Sequence, residues 1–106
     1  MRDPGSVFDA LGDATRRRLV AELSALGGAS STDLARRMPI SRQAVCKHLD
    51  LLADAGLVSS RRHGRAVVYQ LTPEPFTEAM SWMTEVGAAW DDRLGALRAQ
   101  LARRRR

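Results

Sequence analysis

Residues 31–58, "STDLARRMPISRQAVCKHLDLLADAGLV", decide how this chain is read. Thr32 to Met38 has the spacing of a short helix, with Leu34, Ala35 and Met38 facing inward. Pro39 ends it, because proline disfavours helical geometry in the residue before it. Ser41 then stands as the N-cap of a second helix that runs to about Ala55 and stops at Gly56. At about 100° per residue, Val45, Leu49 and Leu52 fall within about 60° of one another and define a buried stripe. Gln43, Lys47, Asp50 and Asp54 lie opposite, with Cys46 at the margin and Arg42 at the exposed start. His48 sits about 60–70° from the centre of the stripe on the same wheel.

Cys46, Lys47 and His48 invite a chemical interpretation, a nucleophile beside a base or half of a metal site. Geometry rejects it. Two positions apart on a helix, the Cys46 and His48 side chains diverge by about 200° and cannot share a proton or an ion. A short helix, a tight turn at Pro39-Ile40 and a second helix opening on Ser41-Arg42-Gln43 instead form a helix-turn-helix. Its second helix is suited to entering the major groove N-terminus first. Glutamine can bond an adenine edge in two places, and Arg or Lys a guanine edge. Ser31, Thr32 and Ser41 are small hydroxyl residues near helix starts, where phosphates meet backbone N–H groups.

Downstream, "LVSSRRHGRAVVYQL" (57–71) changes period from helical to alternating, which predicts a two-stranded hairpin with Gly64 in the turn. Arg61, Arg62, His63 and Arg65 crowd that tip, an arrangement that repels itself unless an anionic surface receives it. Upstream, Val7, Phe8, Ala10 and Leu11 form a short apolar turn closed by Gly12. Asp13 caps a helix over Ala14–Leu26 that ends at Gly27-Gly28. Thr72-Pro73-Glu74-Pro75 breaks the chain before a long terminal helix. The expected order is helix, helix, helix, hairpin, helix.

Charge follows the same division. Residues 36–72 hold seven Lys or Arg against two acids, +5, while residues 1–35 carry −1 and residues 73–102 carry −3. Arg103 to Arg106 add +4. A basic middle between acidic ends suits a domain that meets a polyanion with one face. The 106 residues fit one domain: 1–102 as a winged helix-turn-helix with N- and C-terminal dimerisation helices, and 103–106 as a basic, disordered tail. A single cysteine forms no internal disulfide, and neither an apolar signal core nor a membrane-length apolar run is visible. The expectation is a soluble, cytoplasmic protein.

In the terminal helix Phe76, Met80, Met83, Gly87, Trp90, Leu94, Leu97 and Leu101 recur at alternating spacings of four and three. This seam, with Val7, Phe8 and Leu11, is the candidate dimer interface. It is broader than so small a core requires.

These segments resemble the ArsR family of winged-helix repressors over about residues 7 to 100. The resemblance is carried by "FDALGDATRRRLVAEL", by the stretch quoted first, and by "RRHGRAVVYQL", where Gly64-Arg65 followed by Tyr69 looks like the family's wing. It implies a homodimeric repressor that binds double-stranded DNA at an inverted-repeat operator and is released by a signal. Metal-sensing members carry a cysteine pair just before the Asp-Leu-Ala of the first helix; here Ser30 and Thr32 stand there, before Asp33. Others place histidines on the last helix, which has none here. No metal site is therefore expected, and no cofactor. Cys46 occupies a position where the family often has serine, and a thiol there suggests a redox-responsive repressor as an alternative.

The candidate DNA contacts are thus Ser31, Thr32, Ser41, Arg42, Gln43, Cys46, Lys47 and His48 on the helices, with Arg61, Arg62, His63, Gly64 and Arg65 on the hairpin. A catalytic role lacks a nucleophile–base pair or a phosphate-cradling glycine loop. A protein-interaction module using the helical seam is the other alternative. RNA is disfavoured because no aromatic platform lies on the exposed face. The sequence identifies no effector pocket.

Overall fold

The computed structural model describes residues 4–104. Five helices and three strands follow in the order α1 (Pro4–Ala10), α2 (Ala14–Leu26), β1 (Ala29–Ser30), α3 (Ser31–Arg37), α4 (Arg42–Asp54), β2 (Val58–His63), β3 (Ala66–Leu71) and α5 (Pro73–Arg104). The sheet is antiparallel with β3 in the middle, in the order β1-β3-β2. The predicted helix-turn-helix and hairpin are both present.

Local chemistry sets the boundaries. Asp13 caps α2 by accepting a hydrogen bond from the Arg16 backbone N–H at 3.0 Å, and Gly27, at φ 73°, ends it by donating to the Leu23 carbonyl. At the end of α4 the Leu57 N–H reaches the Leu52 carbonyl and the Gly56 N–H reaches that of Ala53, both at 2.9 Å. This is a Schellman closure, and it requires the left-handed backbone that Gly56 adopts at φ 77°. Leu57 and Leu52, which meet beneath it, are fully buried.

Leu19, Leu23, Leu34, Val45, Leu49, Leu52 and Leu57 form the heart of the core, each at most 1 % exposed. Val45, Leu49 and Leu52 are the stripe expected on α4. Three arginines in a row, Arg16 to Arg18, also serve the fold. Arg16 Nε donates to the Ala10 carbonyl and Arg17 to that of Leu11 at 2.7 Å, so both close the end of α1. Arg18 donates to the Arg37 carbonyl at 2.9 Å and closes α3. Cations at helix C-termini also meet the negative end of the backbone dipole.

Four sequence expectations need correcting. The apolar turn at Val7–Leu11 is mostly helix, because Pro4 occupies a first-turn position where its missing N–H costs nothing. For the same reason Pro73 and Pro75 open α5 rather than break the chain before it. The hairpin gains a third strand, β1. Finally, α5 continues through Arg103 and Arg104, which are helical; residues 105 and 106 lie outside the described part.

The long axis of the molecule is 72 Å, against 30 and 20 Å in the other directions, because α5 projects from the body. Its 32 residues make a rod of about 48 Å. Among the described residues its first turns are fixed by burial of Pro75 and Ala79 beside α1 and by the Trp82 ring against Phe8. No helix among the described residues is long and apolar enough to cross a membrane.

Candidate nucleic-acid interface

The helix-turn-helix begins with a reciprocal cap. Ser30 Oγ accepts from the Asp33 N–H at 3.1 Å, and Asp33 Oδ2 accepts from the Ser30 N–H at 3.4 Å. The hydrogen bond from Ser30 Oγ, with the backbone bond, holds the Asp33 carboxyl below the usual range. The helix ends at Arg37; Met38 is extended and buried, so the chain turns with its apolar side down. Ser41 Oγ then accepts from the Ala44 N–H at 3.1 Å and starts α4.

The first turn of α4 faces solvent. Ser41, Arg42, Gln43 and Lys47 are exposed, and Cys46 is half-buried. Arg42 Nε lies 3.4 Å from Ser31 Oγ, so the start of α4 is held against the start of α3. Asp50 and Asp54, on the same side, sit one and two turns further back, so α4 presents its basic end first.

The wing stands beside it. In the hairpin Arg61 pairs with Val68, Arg62 with Val67 and His63 with Ala66, leaving Gly64-Arg65 as a two-residue turn. Gly64 has φ 64°, and no other residue type among those described has a positive φ. A first central residue with positive φ followed by one with negative φ is the type II′ pattern, which favours glycine first and matches the strand twist. Arg61, Arg62, His63, Gly64 and Arg65 are all exposed. Side chains alternate across a strand, so Arg61 and Arg62 leave opposite faces of the ribbon.

Between helix and wing lies a cleft of about 510 Å³, lined by Ser31, Thr32, Arg42, Cys46, Arg65 and Tyr69 among others. Two arginines from distant parts of the chain thus face one concave surface, neither in an ion pair among the described residues, while Asp33 in the same lining is held by the Ser30 N–H and Arg36; the arginines make a suitable receptor for polyanion backbone. Burial raises the Tyr69 hydroxyl above its ordinary pKa, which keeps it a neutral donor at the cleft wall. Strand β1 explains the juxtaposition: Ala29 pairs with Tyr69 and Ser30 with Val68, so the residue that caps α3 is also stitched to the wing. Sequence reading missed this link because a two-residue strand has no periodicity to detect.

His48 does not share that surface. Its Nδ1 lies 3.9 Å from Asp13 Oδ2, and the side chain is 24 % exposed. It joins the recognition helix to the cap of α2. The wheel angle explains the correction: a side chain flanking the buried stripe is drawn into the neighbouring helix. Nδ1 is buried without a hydrogen-bond partner among the described residues.

The proposed interface residues divide in two. Val7 is buried in the chain's own core, and Phe8, Leu11 and Phe76 pack partly against it. The Phe8 ring meets Trp82 with centroids 5.6 Å apart. Met80, Met83, Trp90, Leu94 and Leu97 are 42–63 % exposed, and Gly87 is exposed with them.

A helix-turn-helix domain model matches residues 11–61, covering α2 through the start of the wing. The chain is 38 % identical over 86 residues to an uncharacterised helix-turn-helix transcriptional regulator, YuzN, of Bacillus subtilis, spanning 76 % of this chain and 94 % of that one. It is 32 % identical over 100 residues to the arsenical resistance operon repressor of Escherichia coli, spanning 94 % and 86 % of the two chains. Among solved structures, an ArsR-like transcriptional regulator from Rhodococcus sp. RHA1 superposes with a TM-score of 0.79 at 39 % identity, covering 89 % of this chain and 88 % of that one. Fold, exposed helix, basic wing and these likenesses agree: the chain belongs to the ArsR family of winged helix-turn-helix transcriptional regulators and is a DNA-binding protein.

Proposed function

We propose that the protein is a homodimeric repressor that binds an inverted-repeat operator, with α4 in the major groove and the wing on the flanking backbone. The observation that carries this is the cleft that brings Arg42 of α4 and Arg65 of the wing onto one surface, with Lys47 exposed on the same helix and Arg61 and Arg62 exposed on the wing. Gln43 and Arg42 read base edges; Lys47 supports them from the next turn. Ser31, Thr32 and Ser41 meet phosphates, and the wing tip clamps the duplex. Arg61, Arg62, His63 and Arg65 contribute through the backbone and carry little sequence information. Residues 1–102 form the working unit, with α1 and α5 joining two copies. That pairing places two recognition helices about one duplex turn, roughly 34 Å, apart.

Repression fits the relatives: the E. coli relative is named a repressor, as is SdpR of Bacillus subtilis, 31 % identical over 78 residues. Ser30 caps α3 and Thr32 lies in its first turn; neither supplies the thiolate that the resemblance gives metal-sensing members at this helix.

The test is titration of a labelled duplex carrying the protein's own promoter, at several salt concentrations. Affinity falls steeply with salt, with a slope that counts released phosphate counterions. Gln43→Ala relaxes preference at one base position per half-site by about 1–3 kcal/mol. A uniform loss across all sequences would remove Gln43 from base reading, and no duplex affinity at low salt would refute the whole assignment.

A further inference from the structure

The wing carries two neighbouring arginines, and strand register sends them to different sides. Val58, at the root of β2, is buried in the core at 4 % exposure. Side chains alternate along a strand, so Ser60 and Arg62 follow Val58 on the core-side face, while Ser59 and Arg61 take the other. The facing strand agrees. Directly opposed residues of an antiparallel pair share a face. Val58 opposes Leu71, Ser60 opposes Tyr69 and Arg62 opposes Val67, whereas Arg61 opposes Val68. Val67 and Tyr69 line the cleft beside α4. On the reverse side Val68 lies toward Gly28, where an added Cβ would come 3.4 Å from Val68 Cγ1. Arg62 thus shares the cleft face with Arg65, which lines the cleft from the turn, and Arg61 leaves the reverse face.

We propose that Arg62 and Arg61 grip different strands of the duplex. Arg62, with Arg65, holds the backbone that passes through the cleft, and Arg61 holds the opposite backbone across the minor groove. This rests on the docking described above and divides the wing residues within it.

The shape of the double helix connects the two faces. One backbone separates each major groove from the minor groove beside it. Moving sideways from α4 in the major groove therefore means crossing a single strand. The cleft of about 510 Å³ between α4 and the wing is the space that takes this strand, and the wing tip comes down in the minor groove beyond it. That groove is about 6 Å wide. Gly64, which carries no side chain, keeps the leading turn slim enough to enter. Once there, one face of the ribbon looks back at the strand in the cleft and the other looks at the second strand. Arg62 is on the first face and Arg61 on the second.

Both arginines are exposed, and neither is in an ion pair among the described residues. Each is free to take a phosphate on its own side. For both to reach one strand, one side chain would have to fold back over the edge of the ribbon, beside a like charge.

The test is ethylation interference with the full chain, on a duplex of its own promoter labelled on one strand and then on the other. With the parent protein, ethylated phosphates flanking each half-site weaken binding on both strands. Arg65→Ala loses this sensitivity on one strand and so marks the strand in the cleft. Arg62→Ala loses it on that same strand and keeps it on the other; Arg61→Ala does the reverse. Each of these changes lowers the salt slope by about one per subunit. Arg61→Lys and Arg62→Lys, which keep a cation, restore the parent pattern on both strands. Loss on the same strand in both alanine variants, or the full parent pattern in Arg61→Ala, would overturn the strand assignment while leaving DNA binding intact. If ethylation flanking the half-sites leaves the parent's binding unchanged on both strands, the wing does not touch the backbone and the docking itself is refuted.

Discussion

Ser41 caps α4 and, in the docking we propose, also meets phosphate, and two substitutions there separate the two roles. Its hydroxyl caps α4 by accepting from the Ala44 N–H at 3.1 Å, and it is exposed at the leading end of the helix. Ser41→Ala removes the cap and costs about 1 kcal/mol. Against a total stability of about 5–15 kcal/mol for a domain of this size, that lowers the melting temperature by about 4–8 °C. Ser41→Asp keeps a side-chain acceptor, and its negative charge suits the positive end of the helix, so thermal stability stays near that of the unaltered protein. On DNA the two changes reverse in severity. A new anion about 5 Å from a phosphate repels it by about 1–2 kcal/mol in a wet interface, a loss of roughly five- to thirty-fold per subunit. The loss shrinks as salt rises. Melting curves and fluorescence anisotropy on one duplex, at two salt concentrations, give both readouts. If Ser41→Asp binds the duplex as tightly as the parent, the start of α4 does not face phosphate and the docking orientation is wrong.

Arg65→Ala weakens specific and non-specific duplexes alike and reduces the salt slope by about one per subunit; an unchanged slope would show that the wing tip does not clamp the backbone. Leu49→Ala, at a fully buried position of the recognition helix, costs about 2–5 kcal/mol in chemical denaturation, and a loss below that range would mean the site collapses around the gap. Asp13 gives a pH signature. The Arg16 backbone N–H, helped by the Arg16 and His48 charges, holds its carboxyl below the usual aspartate range. A folded-state value below the unfolded one stabilises the protein above the ordinary range, and that contribution is lost as pH falls through the depressed value. Asp13→Asn, which can still cap, is therefore less stable than the parent at neutral pH, and the gap closes in acid; a gap that persists in acid would assign it to something other than the charge.

Most of the fold was legible because it is local. Asp13 and Ser41 announce helix starts, Gly27 and Gly56 announce ends, and the Val45–Leu49–Leu52 stripe fixes which side of α4 is free. The glycine and three arginines of the wing fixed the hairpin for the same reason. The departures come from contacts between distant segments or from proline's position. Strand β1 exists because Ala29 and Ser30 pair with Tyr69 and Val68, some forty residues away in the chain. Pro73 and Pro75 read as breakers, yet the first turn of a helix has no internal partners for their missing N–H groups. His48 reads as a DNA contact from the company of its neighbours, and its contact with Asp13 depends on how α2 crosses α4. Arg16, Arg17 and Arg18 carry no role in the sequence reading, and that they close helix ends is visible only in the arrangement of three helices.

Ser30 terminates a strand, caps a helix and borders the cleft all at once. A reader whose blade and stylus are riveted through a single residue has little freedom to splay one against the other. In the dimer we propose, unbinding then has to come from the spacing of its two halves, and a releasing signal would have its leverage on the shaft that joins them rather than on the fingers that touch the duplex.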